Sequence, residues 1–338
     1  MVRKEPVFRL ALAIVFVSTI NVAFRIQLVG AGEPVYIRVE GTVDGTDKIL
    51  RNGEIYTFTG DIYDEIVVER DNIVVDGAGY TLQGSGLFAS IGIDLARRSN
   101  VTVKNLRIGR FYHGIRLAQS SDNTLSASNI ANNEKSGVYL SHSFSNTISR
   151  NNITNNDYGI RFYASSSNTI SQNDMAKNEF DGLDLWYSLS NTINQNYIKY
   201  NGYGVYLHSS SDNAFYGNTI EANGIGVYLW RSSSNSITHN KMSNNKQQVN
   251  VRSSTNAWDN GKEGNCWSDH EERYPAATEV DETGVWDAPY VIDEKNVDNY
   301  PLIPESPPPI TLPPFIIALL PIIAILVAVF FYTRKPSD

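Results

Sequence analysis

Tyr139, Arg161, Asp184, Tyr206 and Tyr228 follow one another at steps of 22 or 23 residues. Two positions later, Tyr163, Trp186, His208 and Trp230 keep the same step. Extended outward, the first series runs from Asp94 and Arg116 to Asn250, and the second from Ala118 and Ser141 to Arg252. Flat rings that share a period with Arg, Asp and His suit one chemistry above others. Ring faces stack on sugars while the polar groups hydrogen-bond to hydroxyls. Rows of exposed Trp and Tyr often mark a binding surface. The same side chains also favour strand surfaces for packing alone, so a scaffold role stands beside the binding role.

Catalysis asks for more. A glycosidase needs two carboxyls at a set separation, and Asp181 with Asp184 is the candidate catalytic pair. Arg161, one period before Asp184, makes a structural ion pair the expected role of that carboxylate. A lyase would need an Arg or Lys base beside a calcium-binding acid cluster, and no series stacks several acids. The residues favour a binding protein over an enzyme, with a polysaccharide hydrolase or lyase as the alternative.

Metal ligands are sparse. Copper(I) prefers Cys and Met, and copper(II) prefers imidazole. Cys266 is the single cysteine, so no intramolecular disulfide can form. Met175 and Met242 fall on the inward series of Ile153, and the five histidines, His113, His142, His208, His239 and His270, are scattered. His208, among the rings, is the weak metal candidate. Asp281, Glu282 and Asp287 in "DETGVWD" lack EF-hand spacing and read as solvated loop acids.

A regular period of side chains needs a repeating scaffold, and two further markers supply it. An asparagine precedes a short apolar run at Asn100, Asn123, Asn146, Asn168, Asn191, Asn213, Asn235 and Asn256, at steps of 21–23 residues. A glycine precedes a three-residue strand from Gly92 through Gly114, Gly137, Gly159, Gly182 and Gly204 to Gly226. "NIVVDGAGYTL" (72–82) fits one coil earlier, after a longer step. The unit "NTISRNNITNNDYGIRFYASSS" (146–167) holds three short apolar runs and no helical period. Three strands and three turns per coil of about 22 residues specify an all-β fold, a right-handed parallel β-helix. Leucine-rich repeats share the period but need a leucine-dominated pattern, whereas Ile, Val and a fixed glycine prevail here. Eight or nine coils rising about 4.8 Å each would form a rod about 40 Å long.

The asparagines then act as scaffold. A turn residue stacked on its own equivalent can form an amide ladder, and asparagine tolerates the left-handed backbone of tight corners. Three columns are expected: the series from Asn100, a second from Asn151 through Asn173, Asn196 and Asn218 to Asn240, and a third from Asn133 through Asn156, Asn178, Asn201 and Asn223 to Asn245. Asn100 and Asn152 also match glycosylation sequons.

The ends set the boundaries. Residues 1–31 read as a signal peptide, with Arg3 and Lys4, an apolar run from Leu10 to Phe24, and small residues at 29–31. An uncleaved anchor is the alternative. Residues 32–65 form an N-terminal cap, 66–258 the repeats, 259–304 an acidic C-terminal cap and 305–314 a Pro-rich linker. "FIIALLPIIAILVAVFFY" (315–332) is long and apolar enough for a transmembrane helix. Arg334 and Lys335 put the tail, 333–338, in the cytoplasm. The body is thus expected outside the cell, tethered to the plasma membrane. The net charge of −8 argues against a nucleic-acid partner; residues 261–300 carry eleven acids against three bases.

The N-x-I…G-V-Y-L coils resemble archaeal NosD-type proteins over residues 34–304. So do the opening "YTFTGDIYDEIVVERDNIVVDGAGYTLQG" and the closing "NCWSDHEERYP…GVWDAPYVIDEKNVDNYPLIP". The resemblance implies right-handed β-helix repeats, frequent surface anchoring and a periplasmic copper-binding label. Copper as a cofactor, and a copper-handling role, are implied by that resemblance alone. The wider β-helix superfamily includes carbohydrate-binding proteins, sugar hydrolases and pectate-type lyases, and fold alone does not choose among them. The expected function is presentation of a ligand face, made by Tyr139, Arg161, Tyr163, Asp184, Trp186, Tyr206, His208, Tyr228 and Trp230, to carbohydrate or another cell-surface ligand.

Overall fold

The computed structural model describes residues 33–304 apart from Leu87. In one typical coil, strands span Ser136–Ser141, Thr147–Ser149 and Asn152–Thr154, and the next coil opens with Tyr158–Tyr163. Successive coils pair in parallel without slip, Val138 on Ile160, Ile148 on Ile170 and Ile153 on Met175. Three parallel sheets result, an all-β solenoid of about ten coils. The count exceeds eight or nine because Val35–Ile37 and Ile55–Phe58 already pair in parallel with Ile66–Val68 and Val74–Asp76. At that end Val43–Asp44 and Ile49–Asn52 add antiparallel strands. Antiparallel additions interrupt further parallel stacking on the edge.

The inward side chains form one continuous column core of Ile, Val and Leu, joined by Met175 and Met242, both fully buried. The fixed glycines follow from close approach between coils. A Cβ on Gly159 would stand 2.5 Å from the carbonyl oxygen of Gly182, and one on Gly204 would stand 2.6 Å from that of Gly226. No side chain fits there.

The amide ladders are present. Asn178 takes the backbone N–H and the Nδ2 of Asn156 on its Oδ1, each at 3.1 Å. It passes its own N–H and Nδ2 to Asn201 Oδ1 at 2.9 and 3.1 Å. The columns from Asn123 and Asn151 repeat the pattern. Three points differ from expectation. Asn100 is not in its column: it is exposed and bonds Asn72, while the N–H of Val101 meets Asn123 Oδ1. The first rung is therefore shifted by one residue, with a valine where the later coils carry asparagine. The left-handed backbone falls on the residue before most ladder asparagines, such as Ser145, Arg150 and Asn155. And each coil bends four times, the fourth at residues such as His142, beside a serine ladder that runs from Ser120 through Ser143 and Ser165 to Ser254.

At the far end, Cys266–Trp267 extends one sheet and Tyr290–Asp293 with Asn296–Asp298 forms a hairpin. Trp258, Trp267 and Tyr290 close the core, with Trp267 stacked on Tyr290 at 4.0 Å. Each ladder needs a final acceptor. Asn296 Oδ1 takes the N–H of Asn256, Asp298 Oδ2 that of Asn265, and Gln248 Oε1 the Nδ2 of Asn245.

The expected signal segment 1–31, linker 305–314, membrane helix 315–332 and tail 333–338 lie outside the described residues. Among the described residues, no helix is long and apolar enough to cross a membrane.

Candidate functional site

The six-residue strands of the glycine sheet bring both side-chain series onto one face. Tyr139, Arg161, Asp184, Tyr206 and Tyr228 stand in register, as do Tyr163, Trp186, His208 and Trp230. Their environment differs from a fully exposed strip. Tyr206 stacks on Tyr228 at 5.2 Å and His208 on Trp230 at 4.5 Å, while Trp186 meets His208 edge-on at 4.3 Å. Stacking along the rod makes these rings cover one another. His208 is buried, and Trp186, Tyr206, Tyr228 and Trp230 are half-buried. The open rings line the rims. Tyr163 is 41% exposed and Tyr187 48% on one rim, and Phe180 and Tyr203 are exposed on the other. Tyr187 and Phe180 escaped sequence reasoning. Tyr187 occupies a left-handed corner that His142, Ala164, Ser209 and Arg231 fill in other coils, so no residue type repeats there to mark it.

Asp184 is the main departure. Strand alternation placed it outward and accessible, yet it is 1% exposed, and Asp181 is 4% exposed. Its cover comes from neighbouring coils, where Arg161 lies below and Tyr206 above. Arg161 Nε stands 3.0 Å from Asp184 Oδ2, the ion pair expected from their spacing. Asp181 Oδ1 and Asp184 Oδ1 are buried with no hydrogen-bond partner. Burial pushes Asp181 up to about 8, helped by the Asp184 charge and opposed by Arg161. Burial pushes Asp184 up to about 7, opposed by Arg161, Trp186 and Lys135. Carboxyls of this kind can keep their protons near neutrality. It does not offer its oxygens to a glycosidic bond, because neither carboxyl reaches the surface.

Cations gather beside the pair. Arg161 lies over the Tyr158 ring at 4.5 Å, and Lys135 over the same ring at 4.8 Å. Arg116 pairs with Asp94 at 2.6 Å and Lys135 with Asp157 at 3.2 Å. His113 stacks on Tyr139 at 4.7 Å. Burial pushes it down to about 4, with Arg116, Arg161 and Lys135 adding to the effect.

The copper implied by the resemblance finds no matching donor set. Among the described residues, no group of three His, Cys, Asp or Glu could hold a metal ion. Met175 and Met242 are core residues, and Cys266 is a lone thiol that burial pushes up. His208 is packed between Trp186 and Trp230. In "DETGVWD", Asp287 accepts from the Thr278 N–H and hydroxyl at 2.8 Å each, which is a loop-fastening role.

No curated protein matches the chain. Among solved structures, a mutant of the periplasmic alginate epimerase superposes with a TM-score of 0.50 at 14% identity, over 64% of this chain and 71% of that one. A double mutant of the same epimerase gives 0.48 at 18% identity, over 58% of this chain and 50% of that one. The DFA-IIIase of Arthrobacter chlorophenolicus A6 without its lid gives 0.49 at 14%, over 65% and 60%. The chain thus spans half the length of one such neighbour, and at these identities the likeness is one of fold. The family described as periplasmic copper-binding protein (NosD) has a sequence model that matches residues 31–183 and 68–272, most of the repeats included, and the chain belongs to that family.

Proposed function

We propose that the chain is an extracytoplasmic, membrane-anchored β-helix protein that binds extended carbohydrate chains on its aromatic face. The observation that carries this reading is the band of rings on the glycine sheet. Half-buried, mutually stacked rings hold a rigid floor, and the exposed rings of Tyr163, Tyr187 and Tyr203 stand on its rims. An aromatic band of this kind, unpartnered and interleaved with Arg and Tyr hydroxyls, suits the alternating apolar and hydroxyl faces of sugars. Coils rise about 4.8 Å, close to the length of one hexose in an extended chain, so successive rungs can meet successive sugars.

The periplasmic description of the family supports an extracytoplasmic place, and the apolar segment 315–332 supports an anchor. Asp181 and Asp184 are the candidate pair for a polysaccharide hydrolase, and their burial beneath the rings weighs against it; a lyase would need a basic residue beside a cluster of acids, and no column stacks several acids. A copper-handling role lacks donors among the described residues. The test is a glycan array probed with the purified full-length chain. Binding to at least one extended glycan is expected, and a blank array across neutral and acidic glycans overturns the proposal.

A further inference from the structure

Arg231 and Arg252 lie over Trp230 and Tyr228, at 5.6 and 5.8 Å, toward one end of the aromatic band; Arg116, Lys135 and Arg161 stand toward the other, and these three are not equivalent. Arg116 makes two hydrogen bonds to Asp94, at 3.1 and 2.6 Å, and Asp94 also accepts the N–H of Ala96 at 3.0 Å. Lys135 is engaged by Asp157. Arg161 has a single carboxylate partner, Asp184, and its side chain is 28% exposed. That partner is one of two adjacent buried carboxyls, with no backbone N–H donated to either of the oxygens named above as unpartnered. One guanidinium cannot balance two buried anions, and a buried unpaired charge is costly. The carboxyls therefore keep protons under conditions where an exposed aspartate would lose them. Each proton they keep leaves Arg161 with charge to spare, at the edge of the rings.

We infer that the aromatic face selects anionic glycans of the uronate type, whose carboxylate is met by Arg161 when the Asp181–Asp184 pair is protonated and refused when it is ionised. The inference rests on the glycan-binding reading above and names its ligand class. A guanidinium matches a carboxylate with two parallel hydrogen bonds. The sugar carboxylate stays ionised throughout, so the change in affinity comes from the protein. In acid, Arg161 offers a free positive charge. In alkali, Asp184 takes Arg161 back and Asp181 adds a repelling negative charge.

Tyrosines, histidines and cations face the pair from the neighbouring coils. On the strands to either side stand Tyr158, Tyr203 and Tyr206, with Tyr228 one coil further. Burial raises Tyr158, and it pushes Tyr206 up to about 12. His113 is pushed down to about 4, and His208 is lowered by burial and Arg231. Lys135 and Arg161 are the cations whose charge reaches the pair.

The experiment measures binding of polygalacturonate and of a neutral glucan of similar length to the full-length chain, at equal ionic strength, near pH 5.5 and pH 8.5. Polygalacturonate should bind at least about tenfold more tightly in acid, as loss of one coupled proton permits, while the neutral glucan changes little. The double variant Asp181→Asn, Asp184→Asn, in which neither side chain can ionise, should bind polygalacturonate tightly at both pH values. Arg161→Gln should lose the preference for the charged chain, so that polygalacturonate binds it no more tightly than the neutral glucan does. Far-UV circular dichroism like that of the parent confirms that each variant is folded. Polygalacturonate binding that equals neutral binding, or that is independent of pH, overturns the inference and leaves the glycan-binding reading standing. Failure of every glycan to bind overturns both.

Discussion

Asn178→Leu tests the ladder directly. Asn178 Oδ1 is the acceptor for the Asn156 N–H at 3.1 Å, and Asn156 Nδ2 also points to it. The Nδ2 retains Thr154 and Ile130 carbonyls, at 3.1 and 3.3 Å. The N–H has no such reserve. Leucine is close in size and keeps the backbone N–H that feeds Asn201, so the loss concentrates on one buried donor left bare, plus the bonds from Asn178 Nδ2 to the Ile153 carbonyl at 3.2 Å and to Asn201 Oδ1 at 3.1 Å. A buried unsatisfied donor costs about 1–3 kcal/mol, and that range is the expected destabilisation. Asn152→Leu is the internal control, because Asn152 is exposed, lies on an ordinary strand and is outside the ladder. It should shift stability by no more than about 0.5 kcal/mol. Urea unfolding followed by circular dichroism gives the difference. Amide exchange at Asn156 locates it, since repeat arrays can open in segments. Equal stabilities for Asn178→Leu and Asn152→Leu would refute the reasoning.

Three more outcomes follow from the geometry. Gly159→Ala should cost about 2–3 kcal/mol as overpacking against backbone, because the new Cβ meets the Gly182 carbonyl at 2.5 Å; an unchanged melting temperature would show that the coils can part freely. Stability should fall as pH rises from about 4 to 8. Asp181 and Asp184 are raised to about 8 and about 7 in the fold, so the native state binds more protons than the unfolded chain across that window. Their stabilising contribution is complete below the ordinary aspartate range and is lost as pH climbs through the raised values, by at most about 1.4 kcal/mol per pH unit for each proton. The double variant Asp181→Asn, Asp184→Asn should remove the pair's downward contribution, leaving that of Asp298, pushed up to about 6 by burial, and the opposite one of His113, pushed down to about 4; an unaltered slope would contradict it. Copper titrated into the full-length chain should show no stoichiometric submicromolar site that His208→Ala abolishes, and calorimetry that finds one would restore the metal reading.

The coils were legible because every rung repeats the same demand. Inward Ile and Val, the ladder asparagines and the glycine that faces the next coil's carbonyl each recur on one period, so register could be read from spacing alone. The Asp184–Arg161 ion pair was legible for the same reason. The serine ladder was not, since serines in a turn look like any loop. Nor were the left-handed corners, which tolerate residues as different as Arg150, Lys177, Tyr187 and Tyr200. Asn100 misled by one position because the first full coil places Val101 where later coils place asparagine. The burial of Asp184 and Asp181 was hidden because strand alternation describes one strand, while their cover is supplied by side chains about 22 residues away on either side. The same lateral packing turned the Trp and Tyr faces toward one another and moved the open rings to Tyr163, Tyr187 and Tyr203.

These open rings are proposed to bind sugar. The most direct measurement is the affinity of the full-length chain, before and after the combined change Tyr163→Ala, Tyr187→Ala and Tyr203→Ala, for a glycan that the array identifies. Because the three rings lie on the rims and outside the core, the melting temperature should stay near that of the parent. Affinity should fall at least about tenfold, as expected when several interface anchors are removed together. Parent-like affinity in a folded variant would contradict the claim and leave the aromatic face as packing between coils.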